Sequence, residues 1–282
     1  MALLTFVPFS LMALPKVASE EQMALVIVLQ TLAANLGSMC TPVGNPQNLY
    51  LYFYYAMDLP SFLTLLLPYT LVSFLRLTLS LFRLPGTPIP ISVRLAARRT
   101  RNLPVLAPSR RLWLLGGMFF LSLLTVAHVL DYRLTLAIVI VVTSLTRPRY
   151  FRYADYRLLG TFVAFFILVG NMSQLPGFRD LLTGYLEGHE FLIALLASQV
   201  ISNVPAAVLL SGFTDEAAAL LLGTDIGGLG TLIASMASLI SYGMYVRACP
   251  RQQGRYLKLF SLLNLAYLLV LVLIAWLYGF GV

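Results

Sequence analysis

Long apolar stretches separated by short polar and basic segments run through the whole chain. A stretch of about twenty apolar residues is long enough to cross a bilayer as an α-helix. Residues 59–82, 112–130 and 259–280 form stretches of this kind. The short alternating segments of a membrane barrel are not seen. The pattern therefore predicts an all-α polytopic membrane protein.

Two of the apolar stretches are interrupted by glycine and small polar residues. Residues 35–45 align without a gap on residues 225–235, so the same kind of loop occurs twice. Lipid cannot satisfy the backbone groups that such a break exposes, so the loop must line a cavity or bind a ligand. Two breaks in corresponding places are typical of secondary transporters built from inverted repeats. The alternative for each break is a kink repaired by neighbouring helices.

A third interruption, Ser202-Asn203-Val204-Pro205, lies within the apolar stretch 191–213. Proline removes a backbone donor and ends or bends a helix. We therefore expect a re-entrant hairpin whose tip, at Ser202 and Asn203, lies at membrane depth. The alternative is a turn buried against protein.

Composition and charge exclude a soluble or nucleic-acid-binding protein. Of the 282 residues 59% are apolar and 11% charged, with a mean hydropathy of +0.85, which is too apolar for a soluble fold. The net charge of +8 comes from arginines clustered in short loops between the apolar stretches. Basic loops of this kind stay in the cytoplasm. We expect a multi-pass protein of the cell membrane, in contact with lipid and without a nucleic-acid partner.

The segments divide into two halves. Residues 1–82 would form an incomplete first repeat with a hairpin arm, a broken helix and one span. Residues 83–111 are a basic cytoplasmic linker. Residues 112–282 would form the second repeat, with scaffold spans, the hairpin 191–213, a broken helix 217–245 and a final span.

Each break offers a different chemistry. Amide and hydroxyl oxygens of the first break, with freed carbonyls, suit a small cation such as sodium, and a half-helix starting near Pro42 presents a positive end to an anion. Asp225 in the second break is an acid near the membrane midplane, where it could carry a proton or help to bind a cation. Its alternative role is to cap the second half-helix.

The candidate substrate- or ion-binding residues are the polar, glycine and proline residues of the two breaks and the hairpin tip: Asn35, Gly37, Ser38, Thr41, Pro42, Asn45, Ser202, Asn203, Pro205, Thr224, Asp225, Gly227, Gly228 and Thr231. A sodium site would take its ligands from Asn35, Ser38, Asn203 and Asp225. No catalytic residues are predicted, because no nucleophile–base pair or metal-ligand set lies at membrane depth. We expect no enzyme activity and no cofactor other than a coupling ion, sodium or a proton.

These motifs resemble the ion transporter superfamily with citrate transporter-like domains. That group includes arsenite permeases, sodium/proton antiporters, divalent-anion/sodium symporters and citrate transporters. The resemblance covers most of the chain and implies two inverted repeats, a site between hairpin tips and broken helices, and an elevator-type motion. It also implies a homodimer. Family members that transport carboxylates often have a neutral amide where this chain has Asp225. This acid makes the proton a candidate coupling ion beside sodium.

The expected function is secondary active transport of a small anion, a di- or tricarboxylate such as citrate, coupled to sodium or protons. Arsenite export and sodium/proton antiport are the alternatives within transport. In the family a hairpin tip precedes the stretch that here is 2–8, so we expect an N-terminally truncated sequence or a missing N-terminal chain as partner. The alternative of another class is a non-transporting fragment or subunit.

Overall fold

A computed structural model describes residues 7–8, 10–11, 20–82, 110–146, 148–153, 156–172 and 174–280. All regular structure in these ranges is helical, with no strand. The α-helices are α1 (Glu20–Ser38), α2 (Pro46–Tyr54), α3 (Leu59–Phe82), α4 (Arg110–Val126), α5 (Tyr132–Thr146), α6 (Tyr156–Met172), α7 (Pro176–Leu186), α8 (Glu190–Ile201), α9 (Asn203–Ser211), α10 (Ala217–Gly227), α11 (Met236–Ala248) and α12 (Gln253–Leu277). Short 3-10 helices cover Pro148–Tyr153 and Pro250–Gln252.

The chain divides into two compact units. One is Arg94–Ala164, and the other combines Met1–Val93 with Phe165–Val282. In the smaller unit α4 packs on α5, and the hydroxyls of Thr125 and Thr135 share a buried hydrogen bond of 2.6 Å. All candidate site residues lie in the larger unit.

Both predicted helix breaks are present, but each first half-helix continues further than the sequence pattern indicated. α1 runs to Ser38 and α10 runs to Gly227, so several residues expected in loops are helical. Glycine, serine and threonine are weak helix formers, but close packing compensates here. A Cβ at Gly227 would lie 2.8 Å from the Cβ of Ser198 in α8, so only glycine allows α10 to approach so closely.

The two broken helices pack crosswise. α1, the first half of one, contacts α11, the second half of the other, and α10 likewise contacts α2. α2 begins at Pro46 and α11 at Met236, positions that correspond in the gapless alignment of the two breaks. The second half-helices therefore start at equivalent points of the two loops.

The interruption in the stretch 191–213 is a helix–turn–helix. α8 ends at Ile201 and α9 begins at Asn203, with Ser202 between them at φ +76°. Positive φ is uncommon for a residue with a Cβ and marks local strain, often near functional sites. The Asn203 N–H donates to the Ala234 carbonyl at 3.0 Å, which joins the turn to the second break.

Among the described residues, two helical stretches are long and apolar enough to cross a membrane: Leu59–Phe82 and Pro250–Leu277. They contact each other, and Arg76 joins them: its Nη1 donates to the Ala266 carbonyl at 2.8 Å and its guanidinium lies 4.3 Å from the ring centre of Tyr267. Large apolar side chains on α3, among them Leu71 and Phe74, are exposed, as lipid contact requires.

Candidate functional site

A cavity of about 530 Å³ opens where the two breaks and the hairpin turn meet. The first residues of three helices line it: Pro46 and Gln47 of α2, Asn203 and Val204 of α9, and Met236 and Ala237 of α11. The end of α1 and the residues before α2 and α11 complete the wall: Ala33, Ala34, Asn35, Gly37, Ser38, Gly44, Asn45, Ser235 and, from within α11, Ile240. Within the described part of the chain, none of these residues carries a charge.

Three helix N-termini directed at one space make that space electropositive. The first turn of an α-helix has N–H groups without intrahelical partners and carries a partial positive charge. Ser235 caps α11 by accepting from the Ser238 N–H at 3.3 Å, whereas Asn45 and Ser202 make no such side-chain bond to α2 and α9. The arrangement therefore favours a small anion.

The two breaks exchange hydrogen bonds. Asn45 Nδ2 donates to Asp225 Oδ1 at 3.2 Å, and Ser235 Oγ donates to Asn35 Oδ1 at 3.0 Å. Positions 45 and 235 correspond in the alignment of the two loops, as do positions 35 and 225. Asn45 and Ser235, which directly precede the two second half-helices, thus bond to corresponding positions of the opposite breaks.

Asp225 lies behind the cavity wall and is 4% exposed. Its Oδ1 accepts from Asn45 Nδ2 and, at 3.1 Å, from Gln47 Nε2. Its Oδ2 is buried and has no hydrogen-bond partner within the described ranges. The same is true of the amide oxygens of Asn45 and Asn48, so unpaired acceptors gather beside the carboxyl group.

Gln199 of α8 joins the hairpin to the second break. Its Nε2 donates to the carbonyls of Gly227 at 2.7 Å and Leu229 at 2.9 Å. Its Oε1 accepts from the Thr231 N–H at 3.0 Å, and its own carbonyl accepts from Thr231 Oγ1 at 3.0 Å. The loop that follows α10 is therefore attached to the hairpin through one side chain.

The structure brings some of the predicted site residues together and not others. The residues at the cavity are Asn35, Gly37, Ser38, Asn45 and Asn203, with Asp225 one hydrogen bond behind them. Thr41, Pro42, Ser202, Pro205, Thr224, Gly227, Gly228 and Thr231 do not line the cavity.

Several of these other residues have structural contacts instead. Thr224 donates within α10 to the Leu220 carbonyl at 2.9 Å, and Thr231 is bonded to Gln199. A Cβ on Gly228 would lie 2.8 Å from Asn203 Nδ2, so this glycine makes room for the hairpin tip. Of the predicted sodium site, Asn35, Ser38 and Asn203 line the cavity and Asp225 does not, and the sodium site stays a prediction.

Five residues of this region are not among the predicted site residues: Gln47, Asn48, Gln199, Ser235 and Ser238. A signal for Gln199 was available, because it is an amide inside an apolar stretch. Ser235 was detectable too, since it aligns with Asn45. Ser238 receives a weak bond of 3.5 Å from Asn35 Nδ2, a contact that only the crosswise packing creates.

A family model described as citrate transporter matches residues 2–239. The chain belongs to the citrate transporter family. An uncharacterized transporter of Methanocaldococcus jannaschii is 30% identical over 250 residues, which are 88% of this chain and 65% of that protein. The inner membrane protein YbiR of Escherichia coli is 31% identical over 225 residues, which are 78% of this chain and 58% of that protein.

The match places this chain in a family of membrane transporters. The matched part is less than two thirds of either relative's length. No solved structure matches the chain significantly.

Proposed function

We propose that this chain acts in secondary active transport of a small di- or tricarboxylate anion, such as citrate, across the cell membrane. The observation that carries the proposal is the uncharged cavity bounded by the N-termini of α2, α9 and α11. Backbone N–H groups at helix ends bind carboxylates without a cationic side chain. Such a site can release its anion again more easily than a site built on arginine ion pairs.

The proposed architecture is a multi-pass protein with two inverted repeats that moves in an elevator-type manner, with its basic loops in the cytoplasm. Equivalent starts of α2 and α11, and the crosswise packing of the broken helices, support the repeats. The Gln199 bonds support a moving body that includes both the hairpin and the second break.

Uptake into proteoliposomes tests the substrate class. Labelled citrate and labelled succinate are offered under an inward sodium gradient, an inward proton gradient, or neither. We expect saturable, gradient-dependent uptake of at least one of the two anions. Arsenite transport without carboxylate uptake would contradict the proposal and favour the arsenite permease alternative.

Sodium/proton antiport is a second candidate, and the buried Asp225 is the observation that favours it. It predicts sodium-driven proton movement across the membrane with no anion present. A pH-sensitive dye inside the same proteoliposomes measures this directly. Proton movement that requires added citrate or succinate supports anion transport. Proton movement in the absence of both anions supports antiport.

Ala237 offers a matched pair of variants for the anion site. It is the second residue of α11 and lines the cavity, where an acidic residue stabilises a helix start. We expect Ala237→Asp to fold and to lower anion uptake at least about tenfold, corresponding to roughly 1.4 kcal/mol of repulsion. Ala237→Asn, of the same size and neutral, should retain most uptake. Equal uptake by the two variants would contradict an anion site here.

A further inference from the structure

We propose that Asp225 is a proton-binding residue that takes the proton on its unpaired Oδ2, while Asn45 and Gln47 hold Oδ1 in place. The inference deepens the proposed transport function, on which it rests for its role: the bound proton would be the coupling ion. The step is a reversible protonation in which a proton from water adds to Oδ2 and forms an O–H bond. No other bond forms or breaks, and release reverses the step.

Two amide donors reach one carboxyl oxygen of Asp225, and no group in the described residues donates to the other. The amide N–H groups of Asn45 and Gln47 converge on Oδ1, and the Asn48 amide, also in contact with the carboxyl group, donates to the Met39 carbonyl at 3.3 Å. Among the described residues, three buried oxygens of this group have no donor: Asp225 Oδ2, Asn45 Oδ1 and Asn48 Oδ1. A proton on Oδ2 supplies a donor and removes the charge. The amide bonds to Oδ1 also suit a carboxylate, but the burial of the group and its unpaired Oδ2 favour the proton, because a buried charge and an unpaired buried acceptor are both costly.

The opposite break shows what a neutral side chain does in the equivalent position. Asn35 Oδ1 accepts from Ser235 Oγ, and Asn35 Nδ2 donates to Ser238 Oγ. The Asn35 side chain thus accepts at Oδ1 and donates at Nδ2. A protonated aspartic acid has this same arrangement, whereas a carboxylate has only acceptors. Protonation therefore makes Asp225 equivalent to Asn35.

The elements packed on α10 bring no cation to Asp225. Its polar contacts are the three amides of Asn45, Gln47 and Asn48. α9 has no titratable residue, and α2 has only tyrosines. α8 has Glu190, which accepts from the Gly188 N–H at the far end of that helix from Ser202.

The basic residues on the two remaining neighbours of α10 are directed elsewhere. Arg76 of α3 is bonded to the Ala266 carbonyl, and Tyr69 is the other titratable residue of that helix. α12 carries its basic residues in its first two turns, where Arg255 and Lys258 are exposed, and its tyrosines at positions 256 and 267. A carboxylate at Asp225 would be a buried charge with no counter-ion on any of these described helices, which is strongly unfavourable.

Infrared difference spectroscopy of the full chain in lipid bilayers tests the proposal without any substrate. We expect a carbonyl band of a protonated carboxylic acid at neutral pH that is lost in Asp225→Asn. Asn is nearly the same size and already occupies position 35, so the variant is expected to fold, and size-exclusion chromatography checks that it does. The band should persist in Glu190→Gln, which removes the other buried acid, and in Asp215→Asn, which removes an exposed one.

Two results would overturn the inference. One is a band that survives in Asp225→Asn or disappears in Glu190→Gln. The other is a carboxylate band at neutral pH that shifts with sodium chloride but not with choline chloride, which would make the site a sodium site. Because the spectra need no transport, a missing citrate or succinate uptake would refute the proposed function and leave this test unaffected.

Discussion

The first and second breaks have nearly the same backbone plan but different side chains at corresponding positions. Asn35 faces Ser235, and its equivalent, Asp225, faces Asn45. Gly37 is exposed at the cavity, and its equivalent, Gly227, is buried against α8. The first break is neutral and open to the cavity, whereas the second is acidic and attached to the hairpin. Two copies of one loop thus place different chemistry at corresponding positions.

The largest effect should come from replacing Gln199, whose side chain bonds to the second break and not to the first. We expect Gln199→Leu to lower the free energy of unfolding by about 3 kcal/mol, because it leaves the Gly227 and Leu229 carbonyls and the Thr231 N–H without this partner. The change compared with it is Asn48→Leu in α2, directly after the first break, which removes one bond to Met39, an unpaired oxygen and the contact with the Asp225 carboxyl group. Chemical denaturation in detergent should show a smaller loss for Asn48→Leu, and equal losses would contradict the difference between the breaks.

Gly37 and Gly227, which occupy corresponding positions of the two breaks, test how closely each first half-helix is packed. In Gly227→Ala the new Cβ would lie 2.8 Å from Ser198 Cβ and 3.0 Å from Leu195 Cα, so we expect a loss of about 1–3 kcal/mol. Gly37→Ala meets no atom within 4 Å and replaces a helical glycine, so it should gain roughly 0.5–1 kcal/mol. Thermal unfolding of both variants measures the contrast. A stable Gly227→Ala protein would show that α8 and α10 do not need this close approach.

Asn35→Asp makes the first break resemble the second. The new carboxyl still accepts from Ser235 Oγ but can no longer donate to Ser238 unless it is protonated. We expect it to cost about 1–2 kcal/mol at alkaline pH and less at acidic pH, since acid restores the donor. Unfolding free energies across a pH series give the answer, and a pH-independent cost would count against the equivalence of the two positions.

The smallest effect concerns Asp58, an exposed acid that contrasts with the buried Asp225. The Ser61 N–H donates to Asp58 Oδ2 at 2.9 Å at the start of α3, and this bond lowers the pKa of Asp58 below its usual 3.8. The ionised form therefore stabilises the fold above pH 3.8, and that stabilisation is lost as the pH falls through the folded-state pKa. Asp58→Ala should melt slightly lower than the wild type at neutral pH and equally at strongly acidic pH. A difference that persists in acid would mean that the cap does not depend on charge.

The sequence predicted the positions of the helix breaks better than the contacts between them. Glycine and proline mark both breaks and the hairpin turn because their backbone limits are local properties. The local pattern predicts a loop at Asn35 and Ser38, but tertiary packing keeps both residues helical. Local pattern also cannot reveal that Gln199 reaches Thr231 or that Asn45 reaches Asp225, because these bonds depend on which helices become neighbours.

The bonds exchanged between the breaks have a consequence for biogenesis. Asn45 and Asp225 are 180 residues apart, and Asn35 and Ser235 are 200 apart. During synthesis the first break therefore leaves the ribosome long before its partner exists, and its amides can pair only provisionally, with water or within their own helix. The cavity is completed only after residues up to Ile240 have been made, so mutations that slow late insertion should leave the first break open to proteolysis.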